Sequence, residues 1–424
     1  MNAPVAVGAA GFLSRYDALR GLLPGDPDLR AAAAEAFRTA GLPGGTNQRR
    51  IEAWKYTSLR PVAESRFQTP ADPIVDVDSL LAHAPDLSAP RIVFVDGRFR
   101  GDLSSTPAGF ARFADQPDFG TLTWPDREPM VALNTMLAED GAELRIEPGT
   151  DAGIVHLISI GTGTTAFHPR HTLRLGAGAR LTLLETSLGE GSYLHNPVTE
   201  IHVGPGAHLA HVRLQDEAGG AFHLATLYAD IAEGGTYDGF TLNLGARVTR
   251  TEIRVILSGP QATAHMNGAQ LLGGTQHADF TSVVRHAEPN GTSRQTVKNV
   301  LAGRSRGVFQ GRVEVARAAQ KTDGYQMNQA LLLSPDAEVD TKPELEIFAD
   351  DVKCSHGATV GELDAEQLFY LRSRGIGDGE ARAILIRAFL TEALEAVTDE
   401  AIRAILDAGV QRWWDRQAAG QGAA

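Results

Sequence analysis

The chain has 424 residues, 43% of them hydrophobic, with a formal net charge of −13 and a single cysteine, enough apolar material for a sizeable core and two or three domains. The acidic balance, with no run of basic residues, excludes nucleic-acid binding by bulk electrostatics; one cysteine excludes an internal disulfide framework and fits a reducing, cytoplasmic compartment. Met1–Gly25 lacks the charged start and continuous apolar core of a signal peptide, and no stretch approaches roughly 18 uninterrupted apolar residues, so neither secretion nor a membrane span is expected.

In chain order, residues 1–66 read as helical. Leu29–Ala40 is rich in helix formers, and Gly41 followed by Pro43 supplies the stop. The element EAWKYTSL, Glu52–Leu59, offers Trp54 and Tyr56 as aromatic anchors that hold a helical arm on the body. Pro70, Pro73, Pro85 and Pro90 mark residues 67–90 as a linker. Arg91–Phe99 is a β-hairpin with an Asp96-Gly97 turn. Irregular structure is expected from Thr106 to Glu128, and a short helix over Met130–Ala138. The first two segments are therefore 1–90, helical with a linker, and 91–142, a hairpin with an irregular connection.

From residue 143 to 363 the pattern changes. Ile154–Ile160, Leu181–Thr186 and Ile253–Leu257 are β-branched or alternating runs bounded by Gly and Pro turns, and no amphipathic helix interrupts them. The turns Glu147–Thr150, Leu175–Ala179 and Val203–Ala207 recur every 28 residues. Such a turn–strand period suits a solenoid in which each rung buries its neighbour's face. The expected core is a right-handed parallel β-helix, with a jelly roll as the competing architecture.

Residues 364–424 turn helical. Asp364 with Gln367 three positions on is a capping-box start for a helix to Arg374, stopped by Gly375. Asp378 caps a second helix with the stripe Ala381, Ile384, Leu385, Ala388, Phe389. Thr398 opens a third over Glu400–Trp414, before a frayed Gly/Ala-rich tail. Three helices after a solenoid are expected to cap its end.

Chemistry centres on the stretch DVKCSHGATVGEL, Asp351–Leu363. Cys354 and His356 are two apart, so on a strand they share one face. Thiolate and imidazole both suit iron–sulfur and zinc chemistry, but two ligands do not close a site of four. The plainer alternative is a small buried thiol beside a structural histidine. His202, His208 and His211 suggest a cupin metal site, although His208 and His211 point to opposite faces of one strand. Glu185, Glu200 and Asp216 would have to cluster on one solenoid face for glycoside chemistry. Together these sketch a stand-alone metal-dependent or carbohydrate-active β-solenoid enzyme. No phosphate-binding Gly-rich loop ending in Gly-Lys-Ser/Thr and no nucleophile elbow occur. Gln320, Lys321 and Thr322 read as a solvated turn, and Glu344 and Glu346 as solvent-facing edge residues.

The segment KPELEIFADDVKCSHGATVGELDAEQLFYLRSRGI, Lys342–Ile376, resembles the C-terminal signature of the SufD branch of the SufB/SufD family, subunits of the SUF iron–sulfur cluster assembly machinery. SufB sequences are similar here but typically carry Glu at the position of Gly357 and Cys at that of Leu371, which favours the SufD branch. His168–Glu185, Asn196–Gln215, Gln276–Asp279, the region around Thr296–Lys298, Gly307–Leu333 and the WKYT element also resemble family segments.

That resemblance implies a β-helix core and a scaffold subunit that is not itself an enzyme. It implies pairing with SufB through the β-helical cores, and docking of the ABC-type ATPase SufC on the C-terminal helices. Asp364, Phe369, Tyr370, Arg374, Ile384 and Phe389 are the expected contacts. ATP binding would draw two SufC copies together and shift the SufB–SufD interface, exposing ligands for a transient iron–sulfur cluster shared with SufB. His356 matches the family's SufD ligand and Cys354 the neighbouring family cysteine. SufB's cluster cysteine corresponds to the neighbourhood of Asn328, so this chain is not expected to complete a site alone. The resemblance leaves room for a reduced flavin in the assembled complex and for a homodimer when SufB is absent.

Overall fold

Strand runs separated by a fixed step stack as rungs: Arg180 pairs with His208, and His208 with Thr236, all in parallel. The result is a parallel β-solenoid of about 8 turns, seen in a computed structural model that describes residues 6–44, 51–70, 76–115, 117, 119–123 and 128–421. Its rungs contribute alternately to a 10-stranded and an 11-stranded sheet. A jelly roll, which pairs its strands antiparallel, is excluded. The step widens further on, where Thr292 pairs with Asp323, and this is why the sequence repeat blurs there.

Between the sheets lies a core that includes Val155, Leu183, Leu209, Tyr237, Ile253, Phe280 and Phe309. Alternation along each strand follows from what covers the outer face. In Thr263–Leu272 the first half alternates against solvent, whereas the last five residues are all buried, because Ala269 and Leu271 meet C-terminal helices outside.

The two ends of the solenoid differ. At the N-terminal end one sheet finishes in the hairpin Arg91–Val95/Arg98–Phe99, and the other in Phe110–Arg112 antiparallel to Ala142–Ile146. Asp96 and Gly97 take φ of 47° and 77°, the left-handed pair that a two-residue hairpin turn needs. Residues 91–142 thus supply the first strands of both sheets. At the other end Glu338–Ile347 and Lys353–Gly361 each pair on one side only among the described strands.

The N-terminal arm consists of α1 (Gly8–Leu19), α2 (Pro27–Ala40), α3 (Arg60–Glu64), α4 (Val77–Leu81) and α5 (Pro129–Leu137). Asp26 caps α2 and Gly41 ends it at φ 63°. Phe12, Phe37, Trp54 and Met136 bury against Ala166, Leu194, Phe222 and Leu224 along the solenoid's flank. Trp54 lies 4.2 Å from the Arg250 guanidinium, and Thr57 Oγ1 donates to Asp279 Oδ2 at 2.5 Å, so the arm is anchored as expected. Tyr56 is not part of that anchor; it stacks under its neighbour Lys55. Two expectations need correction. The linker contains α4, because Asp76 accepts from the Asp78 and Ser79 amides and so nucleates a turn. The irregular stretch after Thr106 contains the strand Phe110–Arg112. Pro73, Met1–Val5 and the final residues 422–424 lie outside the described residues.

The C-terminal helices are α6 (Ala365–Ser373), α7 (Asp378–Leu394) and α8 (Glu400–Gln421). Asp364 caps α6 as read from the sequence, and Gly375 at φ 87° follows its end. Elsewhere the reading shifts: Gly377 is the N-cap of α7, Asp399 accepts from Ile402 N at the start of α8, and α8 runs past Trp414. The helices do not cap the solenoid's end. They lie along its side, with Ile386, Leu390, Leu406 and Trp413 packed on Val212, Leu242 and Leu271.

Candidate functional site

The last strand, Lys353–Gly361, pairs only with Asp323–Leu332, placing Cys354 opposite Gly324 and His356 opposite Gln326. Gln326 and Asn328 face the solenoid interior and are buried, so Cys354 and His356 share the inward face. No rung follows, and that face is uncovered: Cys354 is half-buried against the final core layer, and His356 is exposed. Gly324 makes room for the thiol, since a Cβ there would lie 3.3 Å from Cys354 Sγ. Partial burial raises the Cys354 pKa above 9.0, only partly countered by a hydrogen bond from the Gly324 backbone. The strand therefore presents a protonated thiol and an accessible imidazole, an incomplete donor pair that a metal must deprotonate in order to use.

Neighbouring candidates do not complete the set. Glu344 pairs with Lys342 at 3.3 Å and Glu346 with Arg312 at 3.5 Å, and Leu345 between them points to the core, so both carboxylates face outward. Asn328 is held by Asn299 and Thr341 at 2.8 and 2.7 Å and offers an amide where a cysteine would supply a thiolate. Gly357 leaves its space to Met327, whose Cε would sit 2.8 Å from a Cβ there. Gln320 and Thr322 hold a turn together through Asp351 N and Ala319 O; the turn is as read, but only Lys321 is solvated, since Thr322 is buried.

A second feature lies beside this edge. Helix α6 has no buried residue, and Phe369, Tyr370 and Ile384 are 74%, 57% and 40% exposed. With Leu371 and Leu385 they line an open apolar cleft between α6 and α7. Arg374 folds back over the Tyr370 ring at 5.0 Å, and Asp364 fixes the start of α6. Phe389 is elsewhere: its carbonyl accepts from Lys298 Nζ at 2.8 Å and its ring lies 4.8 Å away, which pins α7 to the solenoid. The expected single stripe on α7 is thus two faces. Ala381, Ile386 and Leu390 are buried, while Ile384 and Leu385 turn to the cleft.

The residues of the enzyme alternative are dispersed. Glu185 pairs with His211 at 3.0 Å inside the solenoid, Glu200 with buried Arg170 at 2.5 Å, and Asp216 with Arg416 at 2.9 Å on the outside. His208 bonds Asp238 at 2.8 Å on the outer face, and His202 meets Thr121 at 3.2 Å; no cupin set forms from them. What the sequence reading missed is a buried group of His195, Glu217 and His223. The signal was present, because the two histidines are one 28-residue repeat apart.

Fold and site define a parallel β-solenoid protein with an unclosed final rung that carries soft and borderline metal donors. Residues 158–389 match the SufBD core domain of SUF-system FeS cluster assembly. The chain is 34% identical over 387 residues to the iron–sulfur cluster assembly protein SufD of Escherichia coli, covering 89% of this chain and 90% of that one. It is 31% identical to an iron–sulfur cluster assembly SufBD family protein of Synechocystis, over 87% of this chain and 86% of that protein. An Arabidopsis thaliana chloroplastic protein, ABCI7, is 35% identical over 56% of this chain and 50% of its own length. The chain belongs to the SufBD family of iron–sulfur cluster assembly proteins and is a member of the SufD type.

Proposed function

We propose that the chain is a non-catalytic, cytoplasmic scaffold subunit that pairs its terminal rung with a SufB-type partner and docks a SufC-type ATPase in the α6–α7 cleft. In this reading it lends His356, with Cys354 beside it, to a nascent iron–sulfur cluster completed by the partner. The observation that carries the reading is the open rung. Glu338–Ile347 and Lys353–Gly361 leave two backbone edges unpaired among the described strands, flanked by exposed Ile347, Phe348 and Val360. An unprotected edge of that length is a template for another strand. Both donor side chains sit on it. A partner that extends the sheets would cover their face and bring its own ligands to the half-built site. The cluster is cargo here, and the protein's part is to position an imidazole and a thiol.

Co-expression with the cognate SufB and SufC, followed by pull-down and size-exclusion mass, tests the assembly. A three-component complex that loses SufC on deletion beyond Asp364, and keeps SufB, is expected. A chain that remains alone overturns the reading. His356→Ala separates ligand from scaffold: assembly is expected to persist while cluster accumulation falls, and unchanged accumulation removes the ligand role.

A further inference from the structure

Away from the open rung, three buried side chains converge at a corner of the solenoid. His195 ends the short strand Leu194–His195, and His223 is its register partner in Phe222–Ile231 on the next rung. Glu217 lies in the turn between His208–Asp216 and that strand. His195 Nδ1 is 3.2 Å and His223 Nδ1 2.7 Å from the two Glu217 oxygens, and one ligand atom from each residue falls within 4.8 Å of the others. Ring orientations are fixed from outside: Phe167 stacks on His195 at 4.7 Å, and the two imidazoles meet edge to face at 4.8 Å. Gln215 Nε2 donates to Glu217 Oε2 at 2.7 Å, and its own oxygen accepts from Gly245 N. The carboxylate is thereby oriented by a second residue, as metal-binding carboxylates are.

Hydrogen bonding does not satisfy this group. His223 Nδ1 lies close to the carboxylate but off the axis of a ring N–H, and His195 Nε2 is buried without a hydrogen-bond partner. His195 is 1% exposed, and such an orphaned ring nitrogen calls for a ligand or water. Charge points the same way. Glu217 is fully buried, and its ion-pair partners among the described residues are the two imidazoles, with no Arg or Lys. A buried carboxylate needs a compensating positive charge.

We propose that His195, Glu217 and His223 form a binding site for one divalent first-row transition ion, zinc or ferrous iron, which staples two successive rungs and the turn between them. Two imidazoles and one carboxylate are an established donor set for both ions. Ligands about 2.1 Å from a shared tetrahedral ion stand roughly 3.4 Å apart, so loading would open the Glu217–His223 contact from 2.7 Å and draw in the widest separation, which is at most 4.8 Å. The donors contain no sulfur, which distinguishes this site from the Cys354–His356 edge.

The test uses the full chain carrying Cys354→Ser and His356→Ala, so that the edge cannot contribute. After chelation, titration with Co²⁺ is expected to give one equivalent bound, with visible d–d absorption and no thiolate charge-transfer band. Zn²⁺ should displace it and raise the thermal midpoint by several degrees. Glu217→Gln and His223→Gln should each weaken Co²⁺ binding at least ~100-fold with the far-ultraviolet circular dichroism unchanged. Should either variant misfold, the titration of the unaltered pocket decides alone: binding below roughly a tenth of an equivalent at micromolar protein overturns the proposal and leaves a hydrogen-bonded triad. Elemental analysis of anaerobically purified protein distinguishes iron from zinc.

Discussion

Cys354 sits where the core runs out, and its chemistry follows from that position. Because partial burial favours the neutral thiol, alkylation by iodoacetamide should need a higher pH than that of a free cysteine thiol measured alongside, and a profile shifted the other way would contradict the packing described. Buried imidazoles set a second pH dependence. His156, His171 and His286 are pushed down to about 4 and His168 to about 3, chiefly by burial. Their folded pKa values lie below the unfolded 6.5, so the unfolded chain binds more protons between them. Stability is therefore full above pH 6.5 and is lost as pH falls towards 4, by up to about 1.4 kcal/mol per pH unit for each imidazole. Urea unfolding at pH 7.5, 6 and 5 should show this loss; a flat profile would contradict it. Glu200, which burial alone would raise, is held down to about 2 by Arg170 together with the Gly120 and Leu122 amides, and adds a loss between pH 4.5 and 2. Glu200→Gln leaves Arg170 buried and uncompensated, and is expected to cost about 3–5 kcal/mol. At this scale the sequence was legible where period two suffices, as for Cys354 and His356 on one face. It was not legible for Glu217, a turn residue whose partners lie on two other elements.

At the scale of elements, the C-terminal helices show why an apolar pattern alone misleads. Helix α7 carries apolar residues on two faces, and one five-residue stripe could not say which face meets the solenoid. Ile386 and Leu390 do, and Ile384 does not. The two faces should respond differently. Phe369→Ala removes a side chain that is mostly in water, so stability should stay within about 0.5 kcal/mol while ATPase capture falls. Leu390→Ala should cost about 2–5 kcal/mol through the cavity it leaves. Thermal melts beside pull-downs separate the two effects, and a large melt shift for Phe369→Ala would mean that the cleft is closed in solution. The helical arm was anticipated with better success, because Trp54 stood in a short motif whose aromatic needed a surface. Trp54→Ala should cost about 3–5 kcal/mol and release α1–α3 to limited proteolysis while the solenoid resists. The hairpin at Asp96-Gly97 was the clearest signal of all, since its turn chemistry is local.

At the scale of the whole molecule, the architecture was legible from one number. A turn recurring every 28 residues pointed to the solenoid while leaving a jelly roll open, and the drift of the step from Thr236 onward, to 27, 29 and then 31 residues, hid the later rungs. Solenoids depend on neighbouring rungs, so the order of the last rung rests on one neighbour alone. Val360→Lys, on the exposed final strand, should leave the isolated chain folded and abolish strand-to-strand pairing with a partner.

The two ends of the solenoid have a consequence for stoichiometry. The N-terminal end is finished by the two-residue strand Arg98–Phe99 and the three-residue strand Phe110–Arg112, both antiparallel, too short and reversed to propagate a parallel ladder. Among the described strands of the two long sheets, the opposite end alone leaves parallel edges unpaired. In polymer terms the subunit is monovalent: it terminates growth as soon as it has reacted. Two such units can join head to head and close, whereas a filament would need a second reactive end. However high the concentration, joining through the sheets should stop at two solenoids, and light scattering should find no larger species built from them.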